Sequence, residues 1–282
     1  MKILITGANG MLAKAVRNRF KDEVLICTDV GELDITNMER VAKYVKAIEP
    51  DVIINCAAYT AVDKAEEDYE RALQINSTGP KNLATVSEKV GSIFVHISTD
   101  YVFGGDLSLD EYYEVSDEKN PQTVYGITKF KGEEEIMFHT EKFYIFRTAW
   151  LYGDGPNFVR TMLKLGKEKE EVKVVYDQYG SPTYTVDLAD IIYQAIEKEI
   201  PFGIYHATNL GFTSWYDFTK EIYAKAGISC KVLPVTSEEF IRPAKRPKNS
   251  MMSKQKTLDA GIEIPFWEDA LERYITEEKN KG

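Results

Sequence analysis

Cysteine and histidine are nearly absent from this chain. Cys27, Cys56 and Cys230 make an odd number of thiols at no metal-like spacing. Cys27 and Cys56 fall within apolar runs that read as strands, so they are expected as reduced core residues and not as a disulfide framework. His96, His139 and His206 lie far apart with no paired-ligand pattern, which argues against a structural zinc site. No metal ligand is assigned, and a divalent-ion requirement is left open. Positive charge is also in deficit. With 35 Lys and Arg against 45 Asp and Glu, the net charge is −10, which argues against nucleic acid or an anionic membrane as the main partner. A bound nucleotide would have to be met by backbone amides or a few well-placed basic side chains. No run approaches the ~20 apolar residues that span a bilayer. The five residues before the first Thr-Gly turn are too short for a secretory signal core. The chain reads as a cytoplasmic protein, a monomer or a homodimer.

What is present is a regular alternation of short apolar runs and longer helical patterns. At 282 residues and 44% hydrophobic composition, the chain can bury a core sufficient for one large α/β unit or two lobes. Strands are expected at 2–6, 24–28, 51–56, 92–98 and 143–148. Helices are expected at 11–20, 38–48, 65–75, 80–90 and 124–138. Continuous apolar strands between helices indicate a parallel sheet covered on both faces, a Rossmann-like, doubly wound α/β fold. After Trp150, glycine and proline break the chain into shorter pieces, with helices expected at 157–169, 186–198 and 215–226. This part is expected to form a smaller C-terminal α/β substrate lobe over the strand ends, where doubly wound proteins bind ligands. Residues 1–150, with about 183–200, would form the dinucleotide-binding domain, and about 151–182 and 201–282 the substrate lobe. Residues 242–248 are a basic, proline-interrupted loop in an otherwise acidic chain.

Thr6-Gly7-Ala8-Asn9-Gly10-Met11-Leu12-Ala13 follows the first strand and opens the first helix. Gly7 and Gly10 allow a tight turn and close backbone approach to a pyrophosphate. The helix start at Met11 and Leu12 offers unpaired amides to it. The spacing is G-x-x-G-x-x-A, with Ala13 where the usual third glycine packs helix on strand. Asp29 ends the second strand, where a carboxylate accepts hydrogen bonds from the adenosine ribose and repels a 2′-phosphate. That favours NADH over NADPH, although Arg17 or Arg19 could reach a phosphate. Asp34 and Ile35 either flank the adenine, or Asp34 caps a helix before Thr36 and Asn37. Ala57, Ala58, Tyr59 and Thr60 close the third strand and give the cofactor a surface to lie on.

Tyr125 and Lys129 are four apart, so on a helix they share one face. A free tyrosine ionises near pH 10. A fixed ammonium nearby favours the phenolate and is expected to pull that value toward neutrality. A phenol tuned this way exchanges a proton with a carbonyl or alcohol oxygen near neutral pH. The same spacing also suits an ordinary surface helix.

Further runs give these pieces a context: Asn55-Cys-Ala-Ala-Tyr-Thr-Ala-Val-Asp-Lys-Ala-Glu66, Ser98-Thr-Asp-Tyr-Val-Phe-Gly104, Arg147-Thr-Ala-Trp-Leu-Tyr-Gly153, Asp177-Gln-Tyr-Gly-Ser-Pro-Thr183 and Arg246-Pro-Lys-Asn-Ser250. On them the chain resembles the extended short-chain dehydrogenase/reductase superfamily, and within it the dTDP-4-dehydrorhamnose reductase family, over almost its whole length. The resemblance implies reduction, by NADH or NADPH, of the C4 ketone of a dTDP-linked 4-keto-6-deoxyhexose, the closing step of dTDP-rhamnose supply for cell-surface polysaccharide. It implies a catalytic trio of Thr99, Tyr125 and Lys129, with Lys129 also holding the nicotinamide ribose. Asp100, Tyr101 and Trp150 are expected against the sugar, and Asn157 and Arg246 against the thymidine diphosphate. Ala13 and the acidic stretch 106–118 depart from the family pattern without touching the trio. Two other readings stay open. One is a nucleotide-sugar epimerase or dehydratase; Tyr101 after Asp100, in place of an Asp-Glu pair, counts against the dehydratase. The other is a non-catalytic NAD(P)-binding regulatory subunit.

Overall fold

The computed structural model of the protein describes residues 1–280. The first half winds through β1 (Lys2–Thr6), α1 (Met11–Arg19), β2 (Val24–Thr28), α2 (Met38–Ile48), β3 (Val52–Asn55), α3 (Val62–Ala65), α4 (Tyr69–Leu73), α5 (Gly79–Val90), β4 (Ile93–Thr99), α6 (Val124–His139) and β5 (Phe143–Thr148). The second half adds β6 (Leu151–Tyr152), α7 (Phe158–Glu168), β7 (Glu171–Val175), β8 (Tyr179–Gly180), β9 (Thr183–Tyr184), α8 (Thr185–Glu197), β10 (Gly203–His206), β11 (Thr213–Ser214), α9 (Trp215–Ala226), β12 (Lys231–Val235), α10 (Gln255–Asp259) and α11 (Trp267–Asn280). Six strands form one sheet in the order β10-β5-β4-β3-β1-β2, with every neighbouring pair parallel. The expected Rossmann-like α/β fold is present.

Successive strand residues face opposite sides, and the core divides accordingly. Ile3 and Ile5 of β1 pack with Leu12 and Val16 of α1 and with Leu188 and Ile192 of α8. Leu4 turns to the other face and joins Ile53, Phe94 and Ile145 beneath Val41 and Val45 of α2 and Leu83 and Val86 of α5. Both faces are therefore covered, which is why these strands read as unbroken apolar runs. A third cluster belongs to the C-terminal part: Val159 and Met162 of α7, Val172 and Val174 of β7, Phe218 and Ile222 of α9, and Leu271 and Tyr274 of α11. There β7 and β12 pair in parallel over five residues.

Three features differ from expectation. Gly203–His206, within the stretch allotted to the smaller lobe, is the sixth strand of the main sheet, paired along β5. Cys27 is exposed, because β2 is an edge strand with a neighbour on one side only. The helix expected over 65–75 is broken, with a π-turn at Gln74–Thr78. Asn76 is drawn inward there. It accepts from the Tyr59 amide at 2.8 Å and donates to the Tyr59 carbonyl at 3.1 Å, which clamps the loop after β3. The acidic stretch 106–118 is folded back onto the body. The Tyr113 hydroxyl accepts from the Gly105 and Asp106 amides, and Arg147 donates to the Val115 carbonyl at 3.1 Å. Among the described residues no helix is long and apolar enough to cross a membrane.

Candidate active site

The turn after β1 forms a backbone cradle. Gly7 lies at φ +65°, and a Cβ there would sit 2.6 Å from the Ala57 amide nitrogen. No side chain fits, so glycine is required. Gly10 caps α1 with no side-chain hydrogen bond, leaving the first amides of the helix facing a crevice. This crevice is a cavity of about 500 Å³ bordered by Gly10, Met11, Leu12, Ala57, Ala58 and Thr60 on one side and by Thr99, Asp100, Tyr125 and Lys129 on the other. On its wall the hydroxyls of Ser98 and Thr148 are buried without a hydrogen-bond partner among the described residues. An orphaned polar atom of this kind invites a ligand. Asp29 stands at the turn, accepting from the Asn9 amide at 3.2 Å. Asp34 turns its carboxylate to Thr36, accepting from the amide at 2.9 Å and the hydroxyl at 2.7 Å, a local turn; the helix cap of α2 is Asn37, whose side chain accepts from the Arg40 amide. The Ile35 side chain is buried in the core. Tyr59 is half-buried, its hydroxyl donating to Asp68 at 3.2 Å.

Thr99 ends β4, and Tyr125 and Lys129 lie one turn apart on α6. Thr123 fixes the start of that helix by accepting from the Gly126 amide. Thr99 donates its hydroxyl to Asp100 Oδ1 at 2.8 Å. Burial pushes the Asp100 carboxyl up to about 6, against the hydrogen bonds of Thr99 and Ser250. The expectation of a lowered tyrosine is corrected here. Burial pushes the Tyr125 phenol up to about 12, with its contact to Thr99 acting the other way. Lys129 shares the face but its Nζ is drawn toward β4, where it donates to the Ile97 carbonyl at 2.6 Å and lies 3.0 Å from His96 Nε2. Burial lowers Lys129 itself to about 8. Desolvation thus outweighs the helix-face attraction.

Tyr101 meets Tyr125 edge-on with ring centroids 5.5 Å apart. Trp150 holds φ +48°, unusual for a bulky side chain, and stacks on Trp215 with centroids 3.6 Å apart. Tyr101, Trp150, Trp215 and Arg246 border a second cavity of about 540 Å³. Arg246 donates to Asp63 at 2.9 Å. Asn157 lies elsewhere. Its amide caps α7 through Arg160 and donates to the Gly153 and Gly155 carbonyls and to Tyr274. Asn55, Ser98 and Thr148 lie within the quoted runs but receive no role from them, and His96 falls outside every run. The one signal for His96 and Asn55 is a polar residue inside or ending an otherwise apolar strand. Among the described residues no group of three or more His, Cys, Asp or Glu is placed to hold a metal ion.

The arrangement combines a backbone cradle at a glycine turn with a tyrosine phenol and a buried lysine at the carboxyl ends of parallel strands. The family model for the RmlD substrate binding domain matches residues 1–280. The dTDP-4-dehydrorhamnose reductase of Mycolicibacterium smegmatis is 40% identical, the match covering 96% of this chain and 84% of that one. The crystal structure of such a reductase from Clostridium acetobutylicum shares 49% identity over 99% of this chain and 100% of that one, with TM-score 0.96. The Bacillus anthracis enzyme, solved in complex with NADP, shares 43% identity over 98% of this chain and 100% of that one, with TM-score 0.94. The chain belongs to the dTDP-4-dehydrorhamnose reductase family.

Proposed function

We propose that this protein reduces the C4 ketone of dTDP-4-dehydro-β-L-rhamnose to dTDP-L-rhamnose with a nicotinamide cofactor. The observation that carries the reading is the Tyr125 phenol, held protonated by burial beside the glycine cradle. The residues present fit a dinucleotide: Gly7 leaves room only for backbone, and Ser98 and Thr148 hold unpaired hydroxyls on the crevice wall. When bound, the dihydronicotinamide supplies the hydride. The amides after Gly10 hold its pyrophosphate, and Lys129 its ribose. Tyr125 delivers its proton to the ketone oxygen, and a phenol that stays protonated throughout the working pH range is suited to donating. Thr99 rotates its hydroxyl from Asp100 to the same oxygen. A donor of that kind is worth roughly 2.7–4 kcal/mol in other enzymes. Tyr101 and Trp150 present aromatic faces to the deoxyhexose, and Arg246 takes the diphosphate. Asn157 is left out of this set, since its amide is consumed in capping α7. The dinucleotide part comprises 1–150 and about 183–200 with β10 added, and the rest forms the substrate lobe.

Asp29, whose carboxylate accepts from the Asn9 and Val30 amides and meets no basic side chain among the described residues, favours NADH over NADPH. The NADP complex of the Bacillus anthracis relative makes the ratio of KM values the quantity to compare. An absorbance assay at the nicotinamide band, run over a panel of nucleotide-linked 4-ketosugars, tests the function. Stoichiometric oxidation with the dTDP sugar is expected. Isomerised sugar without net oxidation would mean an epimerase, and binding without turnover a regulatory subunit; either would end the proposal.

A further inference from the structure

Beneath Lys129 runs a sealed chain of polar side chains that proton delivery by Tyr125 does not use. Thr6, Asn55, His96 and Lys129 are each no more than 1% exposed. The Ala57 amide donates to Asn55 Oδ1 at 3.1 Å, and the Thr6 hydroxyl donates to the same oxygen at 2.7 Å. A backbone N–H can only donate, so it fixes the orientation of the Asn55 amide. Asn55 Nδ2 then faces His96 Nδ1 at 3.0 Å, and Nδ1 has to be the lone-pair nitrogen. Burial, and then the charge of Lys129, keep the ring from protonating. Its single proton therefore sits on Nε2, 3.0 Å from Lys129 Nζ. An ammonium has donors only and cannot accept that N–H, whereas a free amine can.

We propose that His96 is a positioning residue for Lys129: its Nε2–H clasps the amine form against β4 and turns the ammonium form out toward the cofactor crevice. The inference rests on the role given to Lys129 above. It makes coenzyme capture depend on a proton. The groups facing Lys129 do not supply a competing titration on the alkaline side. Cys56, beyond β3, is pushed up to about 12 by burial. Tyr125 on α6 is pushed up to about 12 as well. Glu133, one turn along α6, is bound to Arg147 of β5 by two hydrogen bonds. Asp100, raised to about 6, affects only the acid side. Lys129, lowered to about 8 by burial, is left as the group that changes charge there.

The test is the dissociation constant of NADH, read by its fluorescence from pH 6 to 10 in the wild type, K129M and H96Q. In the wild type, affinity should fall above the Lys129 midpoint, approaching about tenfold per pH unit, the limit for one linked proton. K129M should bind weakly with no such break. H96Q places a carbonyl within reach of Nζ, and an acceptor favours the ammonium. Its midpoint should rise by about one pH unit, the equivalent of one hydrogen bond to a charge. An unmoved midpoint in H96Q overturns the proposal for His96. If K129M binds NADH like the wild type, or keeps the break, the role of Lys129 itself fails. A second measurement needs no variant: nitrogen NMR of the histidine-labelled wild type should show His96 as the Nε2–H tautomer. The Nδ1–H tautomer, or a charged ring, overturns it even if H96Q does not fold.

Discussion

Arg246 donates to Asp63 at 2.9 Å across a sequence separation of 183 residues. Asp63 also accepts from the Ala244 amide at 3.2 Å, and Arg242 stands 3.9 Å away. The basic loop is thus pinned to the segment after β3 by one carboxylate, which occupies the guanidinium that the diphosphate would take. Arg246→Ala is expected to raise KM for the dTDP sugar about tenfold, near the loss of one charge-assisted hydrogen bond, with kcat within about threefold. The partly exposed pair itself should matter little to folding. Steady-state kinetics and a melting curve on the same preparation separate the two effects. A KM equal to that of the wild type would remove Arg246 from the substrate set.

Tyr125→Phe keeps the ring contact with Tyr101 and removes the hydroxyl, with its proton and its contact to Thr99. Turnover is expected to fall by at least about 100-fold, in the range general acid–base catalysis supplies, while NADH still binds. Single-turnover mixing with bound NADH reads the chemical step directly. Full activity in that variant would refute the proton-donor assignment.

Asp100→Asn should change stability in a pH-dependent way. The folded carboxyl titrates at about 6, above its usual 3.8, so the folded chain holds a proton that the unfolded chain releases between those values. That contribution is fully present below about pH 4 and is lost as pH rises through 6. Asparagine cannot ionise and can still accept from Thr99. The variant is therefore expected to be more stable than the wild type at pH 7, by no more than about 3 kcal/mol, with the gain vanishing at pH 4. Urea unfolding at the two pH values measures this, and an equal difference at both would contradict it.

Arg147 and Glu133 form an ion pair with both side chains 0% exposed. Removing one partner strands the other charge in the core, so Arg147→Met should cost about 3–5 kcal/mol. It also cuts the bond to the Val115 carbonyl, so residues 106–118 should become the first site of proteolysis. The double variant Arg147→Met with Glu133→Leu should recover most of the stability. Denaturant midpoints for the three chains are the measurement.

Much of this architecture could be read in the residues because burial on two faces leaves a plain signature. Lys2–Thr6 and Phe143–Thr148 are runs with almost no polar break, and Met38–Ile48 and Trp215–Ala226 carry one apolar stripe at helical spacing. What stayed hidden depends on distant parts of the chain. Nothing local in Glu171–Val175 announces that its neighbour will be Lys231–Val235, a strand that itself contains Pro234. β10 joins the main sheet through its pairing with β5, a contact that local periodicity does not encode. At the site, spacing placed Tyr125 and Lys129 on one face, yet it could not say which way a long flexible amine would turn. The carbonyl of Ile97 and the ring of His96 decide that, and the phenol answers to its burial instead. Cys27 shows the same limit, since a strand at the sheet edge has the composition of one at its centre.

Trp150 and Trp215 lie face to face beside Arg246, and they are two of only three indoles in the chain. Most of the light the protein emits under ultraviolet excitation should therefore originate beside the cavity in which we propose that the sugar nucleotide sits. The molecule carries a built-in optical gauge of occupancy, and a guest settling there would announce itself by colour and brightness without any attached dye.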